Sequence, residues 1–496
     1  MKISQALNNK RLYALDILII LFVWLLSFHI FTSLAYQLLG YHFYNDTNLR
    51  FLADAFLLRD VEELSSLRLF IVFPLLPIYL LTLLSYLPII PPLFWPMWLS
   101  VVISSTWITA FLGRLWRLKA SGIFLIALWV TFISHPVILS SAIAGGNFIW
   151  AASASIITIQ GLYSLSPRFH TTPLVHIGFA LTIIFLIDIN YFAVIMTMLI
   201  MVLICLNHQH YRYDYLSLWA TLIFPVFLMM VVVLVASLLQ GHKMSGFIHG
   251  LPSFDNLTIL SLTEIVKRLE KMFHTIIIGF AIFPILIWNI IASRNHKTLF
   301  LISLMSSLSP GLVAFFAVDH LYGDKSFLIY YVGPVLVGIY HTFHYLRSRH
   351  YFFAAPILMG AGSLLLWVVP SLDPLLMEPL QVLSGFPARQ DFHEDIRLGR
   401  QLAPLTPAMV DYRSGYPLIA ALGQAHHLVV PKTELFNLAE EKQEFSSPLI
   451  VVPQPSHPAY AKDRVAKIYI DIYQKDNFKY HQVYKTKRWL VLQKDE

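Results

Sequence analysis

The acids of this 496-residue chain gather in a few polar stretches. The first, YHFYNDTNLRFLADAFLLRD (41–60), carries Asp46, Asp54 and Asp60 directly behind a long apolar run. A carboxylate at a boundary between lipid and water has its proton affinity set by desolvation and neighbouring charge. That suits it to take a proton from a hydroxyl group. Asp46 has a plainer reading as well: Asn45-Asp46-Thr47 supplies cap residues, and apolar side chains recur behind it at Leu49, Leu52, Ala53, Phe56 and Leu57, the spacing of one helical face. Asp54 follows eight residues on, about two helical turns, where it can share a face with Asp46 or stand solvated and balanced by Arg50. Asp60, Glu62 and Glu63 read as a solvated charge run. His320 beside Asp319, and His242 and His249, lack the helical spacing to an acid that a metal site needs.

The elements that would hold these groups are set by composition. Hydrophobic residues make up 57% of the chain and charged ones 13%, about half the charge of a soluble protein, so the chain reads as largely dissolved in lipid. The single cysteine, Cys205, excludes an internal disulfide. A net charge of +7 would suggest nucleic acid in a soluble protein; here basic cytoplasmic turns account for it, and no nucleic-acid partner is expected. The N-terminal apolar stretch outruns a signal-peptide core and lacks a small-residue cleavage site, so it reads as a retained first helix.

Apolar runs at 14–38, 93–113, 121–140, 147–164, 173–188, 190–206, 216–239, 275–292, 298–318, 327–345 and 351–370 read as eleven spans. A twelfth run, 69–87, contains Pro74 and Pro77 in FPLLPIYLL, which disfavours a straight crossing helix. If it lies along or dips into the membrane, then Lys10, Arg11, Arg114, Arg117, Lys119, Arg168, Arg212, Arg294, Lys297, Arg347 and Arg349 all fall on one side. The bias of Lys and Arg toward cytoplasmic loops favours that arrangement. It leaves the N-terminus cytoplasmic, with Asp214 the only acid in the basic turns, and places the other acids from Asp46 to Asp324 outside. The first outer loop (39–68) then carries an amphipathic helix on the membrane surface, and LTEIVKRLEKMF in the second (240–274) carries another. Trp95, Trp98, Tyr330 and Tyr331 read as interface-belt aromatics.

After Pro370 the long apolar runs stop. Strands are expected at 408–412, 426–430, 448–452 and 487–493, with helices near 392–402 and 415–423 and a terminal hairpin in KYHQVYKTKRWLVLQ. The fold class is thus a polytopic α-helical membrane domain (1–370) with juxtamembrane helices in its first outer loop, followed by a small extracytoplasmic α/β domain (371–496).

Taken together, the acidic first loop with Asp46 and Ala53, the FPLLPIYLL segment, the basic end LGRLWRLK of the next span, GDKSFLIYYVGPVLVG and the tail AMVDYRSGYPLIAAL…RWLVLQ resemble the GT-C superfamily of membrane glycosyltransferases. The resemblance covers nearly the whole chain as architecture. It implies a glycosyltransferase of a bacterial inner (plasma) membrane that passes a sugar from a polyprenyl-phosphate donor, with inversion, to a glycan, lipid or protein acceptor on the outer face. It implies Asp46 as general base and Lys325 as the leading cation for the donor phosphate. From its spacing, Asp54 is a second carboxylate that can orient the acceptor or raise the proton affinity of that base; Arg50, Arg68, Lys243 and Arg268 are rival cations, and snorkelling is the ordinary role of all five. Tyr44, Asn147, His320 and Tyr330 are weaker candidates for acceptor or sugar contact. Where the family often places a further acid, this chain has Asn147 in SHPVILSSAIAGGNFIW, which argues against a bound divalent metal, Mg or Mn. Three other readings stay open: a polysaccharide polymerase or ligase of another fold, a transporter or flippase of lipid-linked substrates, and a non-catalytic scaffold.

Overall fold

A computed structural model describes residues 2–61, 75–87, 90–146, 154, 158, 171–188, 192, 195–196, 199, 215–239, 262–295, 297–316, 326, 328–346, 349–402, 407–431, 433–442, 447–468, 473 and 480–494. Within these, the helices are α1 (Lys2–Gly40), α2 (Asp46–Asp60), α3 (Leu75–Leu84), α4 (Trp95–Arg117), α5 (Gly122–Ser134), α6 (Pro136–Ala144), α7 (Thr171–Ile187), α8 (Tyr215–Leu239), α9 (Leu262–Ile282), α10 (Ile285–Ser293), α11 (Lys297–Phe316), α12 (Val332–Leu346), α13 (Arg349–Val368), α14 (Pro374–Leu383), α15 (His393–Leu402), α16 (Tyr412–Leu422), α17 (Glu434–Lys442) and α18 (Arg464–Ile468). The strands are β1 (Ala408–Val410), β2 (Leu428–Val429), β3 (Leu449–Pro453), β4 (Tyr480–Lys485) and β5 (Trp489–Lys494).

The chain divides into two compact units. The first comprises 1–38, 97–233 and 248–387 and is helical among its described residues. Two stretches, Asp16–Gly40 and Pro92–Arg117, are long and apolar enough to cross a membrane, and up to four are if two bent pairs each count as one. Those pairs are α5–α6, bent by 60°, and α9–α10, bent by 88°. Both breaks have one cause. His135 and Phe283 each precede a proline, whose ring disfavours helical backbone at the residue before it; His135 accordingly sits at φ −71°, ψ 119°. The expected spans at 121–140 and 275–292 are therefore broken helices rather than continuous ones. Elements close to the expected spans at 173–188, 216–239, 298–318 and 351–370 are helical, while most of 147–164 and 190–206 lies outside the described residues.

Close packing holds this unit. A methyl group on Gly362 would meet the Ile282 carbonyl oxygen at 1.7 Å, so α13 approaches the end of α9 backbone to backbone. Tyr330 and Tyr331 are fully buried in this unit, and their rings fill its core; Trp95, which belongs to the second unit, is nearly fully buried, so none of the three reads as an interface-belt aromatic. The boundary expected at 370 is displaced as well. Asp373 caps α14 through the Leu376 amide (3.1 Å) and accepts a hydrogen bond from Ser326. Ser140 of α6 donates to the Leu376 carbonyl at 2.5 Å, so 371–387 belongs to the helical unit.

The second unit comprises 39–96, 234–247 and 388–496. Its sheet has the order β2-β1-β3-β5-β4, with β1 parallel to β2 and β3, and β5 antiparallel to β3 and β4. The expected strands and hairpin all form, because short β-branched runs bounded by turn residues have few alternatives. Every residue of β3 is buried, and Trp489 of β5 is fully buried with its indole N–H on Asp395 of α15 at 2.5 Å. Burial raises the proton affinity of Asp395, opposed by Trp489 and by Arg488, whose guanidinium lies 2.8 Å away. In sheets of this kind ligands usually enter beyond the strand ends, where connections diverge. Here helix caps occupy that place: Asp411 accepts from the Arg413 and Arg464 amides, and Asp463 from Ser414 and the Ala466 amide.

The expected surface helix of the first outer loop exists as α2, but protein covers it. Leu49, Leu52, Ala53, Phe56 and Leu57 are buried together with Phe51 and Ala55, where α2 packs on α3 and α16. The described part of the 69–87 run, from Leu75, forms the ten-residue helix α3, about 15 Å of helix rise.

Candidate functional site

The second unit brings Asp46 together with residues some 370 positions later. Asn45, not Asp46, caps α2: its side chain accepts from the Thr47 amide (3.0 Å) and the Asn48 amide (3.3 Å). Asp46 thus stands in the first turn, where the helix dipole favours a negative charge, with its carboxylate released from capping. Arg50, one turn on, donates Nε–H to Asp46 Oδ2 at 2.9 Å, and the Tyr416 hydroxyl of α16 donates to Asp46 Oδ1. The Arg50 guanidinium lies over the Tyr416 ring, 4.3 Å from its centroid. The three side chains therefore hold one another in a closed triangle.

Its electrostatics keep both partners protonated. Burial raises the Tyr416 pKa, the Asp46 charge raises it further, and Arg50 opposes. Burial works against the charge of Arg50, yet Asp46 and Tyr416 outweigh it and the net shift is upward. A carboxylate offers about four lone-pair sites. Arg50 and Tyr416 take one on each oxygen, and the Asp46 side chain keeps 21% of its surface open. Asp46 can accept a further hydrogen bond, including one from an incoming hydroxyl.

Asp54 lies eight residues along α2, on the order of 12 Å of helix rise from Asp46. That separation is too great for the two carboxylates to act as one proton-sharing pair, so Asp54 does not serve as an auxiliary that raises the proton affinity of Asp46. Asp54 is half-buried and has interactions of its own. Tyr44 is buried, and burial raises its pKa against the charge of Arg400.

Asp60 is not part of a solvated run. Its carboxylate is fully buried, receives Arg59 Nε–H at 2.5 Å and Nη2–H at 2.8 Å, and accepts the Ala425 amide at 2.6 Å. Arg59 also donates to the carbonyls of Ser85 (3.0 Å) and Gly423 (3.1 Å). Gly423 ends α16 in the left-handed region at φ 75°, which glycine takes without strain. This pair pins the end of α2 to the end of α16, as the Asp46 triangle pins the start, so the site is clamped at both ends.

Among the described residues, Arg268 and Tyr330 do not join this cluster. Arg268 belongs to the helical unit and pairs with Glu264 one turn away (3.1 Å). Tyr330 also lies in that unit, and its complete burial takes it out of reach of an acceptor sugar. Lys325, Arg68, Asn147 and His320 lie outside the described residues, as do Glu62 and Glu63. Among the described residues, no group of three His, Cys, Asp or Glu side chains could hold a metal ion. Sequence reasoning missed Tyr416, Arg59 and the role of Asn45. The cap was legible to within one residue. Tyr416 had no local signal, because its partner is distant in the chain.

No family model and no curated protein matches the chain.

Proposed function

We propose that this protein is a membrane-embedded, inverting glycosyltransferase. It transfers a sugar from a polyprenyl-phosphate donor to a glycan, lipid or protein acceptor on the extracytoplasmic face, with Asp46 taking the acceptor proton. The observation that carries this reading is the Asp46–Arg50–Tyr416 triangle: a carboxylate relieved of capping, fixed in direction by two donors and still able to accept a third. Arg50, 36% exposed, is the described cation placed to meet a donor phosphate beside that base. The division of the chain supports the proposed topology. Residues 39–96 and 388–496 pack into one unit, so they lie on one face of any bilayer the chain crosses, and crossings between them must be even in number. The ten spans proposed between 93 and 370 meet that condition.

A second reading, a transporter of lipid-linked substrates, is favoured by a specific feature of the helical unit. The breaks at His135 and Phe283 meet, with their rings stacked 5.0 Å apart at 7°. Paired discontinuous helices are where many transporters bind their cargo. One experiment separates the two. Purified full-length protein in vesicles is given polyprenyl-phosphate sugars carrying a radiolabel in the sugar, with cell-envelope acceptors outside. The transferase reading expects label in the acceptor and free polyprenyl phosphate in equal amounts. Movement of intact donor between leaflets without transfer would replace it by the transporter reading.

A further inference from the structure

The helical unit carries a groove of about 270 Å³ between α1, α4 and α5, with an almost wholly apolar lining. One end is marked by Asp16 of α1, which accepts the Trp116 indole N–H at 3.0 Å. From there the groove runs past Gly113 and Gly122 toward Thr109 and Trp129. Its volume is close to the lower end for small-molecule sites, about 300–1,000 Å³, and suits a single extended chain.

Charge identifies the occupant. Trp116 and Gly122 both line the groove, and the segment joining them carries Arg117 and Lys119, both exposed. Arg114, one turn earlier, lies over the Tyr340 ring at 5.0 Å and is already engaged. Two cations therefore flank one end of an apolar channel. A methyl group on Gly122 would meet nothing within 4 Å, so this end of the groove is open space rather than packed side chain.

We propose that this groove binds one acyl chain of an anionic glycerophospholipid, with the headgroup phosphate held by Arg117 and Lys119. The site uses no residue of the Asp46 cluster and does not depend on the transfer reading. A cation at a membrane surface favours an anionic lipid several-fold, so two give a selectivity of roughly tenfold or more over a zwitterionic lipid.

The test uses full-length protein in vesicles of unlabelled phosphatidylcholine containing a graded fraction of phosphatidylglycerol brominated on its acyl chains, or of equally brominated phosphatidylcholine. Bromine in the groove quenches Trp116 and Trp129. Quenching by phosphatidylglycerol is expected to saturate at roughly tenfold lower mole fraction, and Trp116→Phe/Trp129→Phe should lose that component. Arg117→Gln/Lys119→Gln should bring the phosphatidylglycerol curve onto the phosphatidylcholine curve. Gly122→Leu, whose Cβ would meet nothing within 4 Å, should fill the mouth and remove the saturable component while the native gel-filtration profile persists. Coincident curves for the two lipids on the parent protein would overturn the proposal, leaving an ordinary annular contact. A selectivity unchanged in Arg117→Gln/Lys119→Gln would overturn it as well.

Discussion

Replacing Asp60 by asparagine removes the negative charge from a buried pair while nearly keeping its shape. In the parent, Arg59 is 13% exposed and gives the fully buried Asp60 two hydrogen bonds, at 2.5 and 2.8 Å. Without the carboxylate, the guanidinium keeps the carbonyls of Ser85 and Gly423 and the face of the Phe56 ring, 5.0 Å away, but no opposite charge among these. Stranding one member of a buried pair costs about 3–5 kcal/mol. For a unit of this size each kcal/mol lowers the unfolding midpoint by roughly 2–4 °C, so Asp60→Asn should lower it by roughly 6–20 °C. Trp489, fully buried in the same unit, provides the fluorescence signal in a detergent melt. Arg59→Met/Asp60→Asn should be more stable than Asp60→Asn alone, because it leaves no orphaned charge. A midpoint within about 2 °C of the parent for Asp60→Asn would refute the clamp, since that is the behaviour of a solvated surface charge.

Two further outcomes follow from the same unit. Tyr416→Phe keeps the ring under Arg50 and deletes only the hydroxyl donor to Asp46; it should cost about 0.5–1.5 kcal/mol of stability and lower sugar transfer by reducing kcat more than by raising the donor KM, as steady-state kinetics would read. Asp463 is an acid that burial raises from 3.8 to about 6. Between those values the folded state holds more protons than the unfolded one, so this group's contribution to stability falls as pH rises through the window. Asp463→Asn keeps an acceptor for the Ala466 amide and turns its other end into a donor to the Ser414 hydroxyl, which can itself donate to the Asp411 carbonyl; its melts between pH 4 and 7 should show a smaller decline than the parent's.

The α/β sheet was legible because its cues are local: β-branched runs such as LIVV, and a Gly after the last helical residue of α16. The clamp on α2 was not, for two physical reasons. Arg59 and Asp60 are adjacent, and neighbours in sequence do not face each other on a helix; they pair here because α2 ends at Asp60 and both side chains turn toward α16. The apolar stripe Leu49–Leu57 correctly announced a buried face but not its cover, since lipid and protein make the same demand on a side chain. Asp46 was singled out by its type and place, whereas Tyr416, the donor to its carboxylate, is fixed only by tertiary packing. The helix breaks at His135 and Phe283 were readable in retrospect from the prolines that follow them, because hydropathy alone scores a broken span like a straight one.

The most direct test of Asp46 as the base is the single-turnover rate of sugar transfer by Asp46→Asn, compared with the parent at saturating polyprenyl-phosphate sugar. The Asn45 cap and the Arg50–Tyr416 contact should keep the variant folded, which its melt will show. Loss of a general base predicts a rate lower by about 10²–10⁴ with donor still bound. A folded Asp46→Asn protein that transfers sugar at the parent rate would contradict the account.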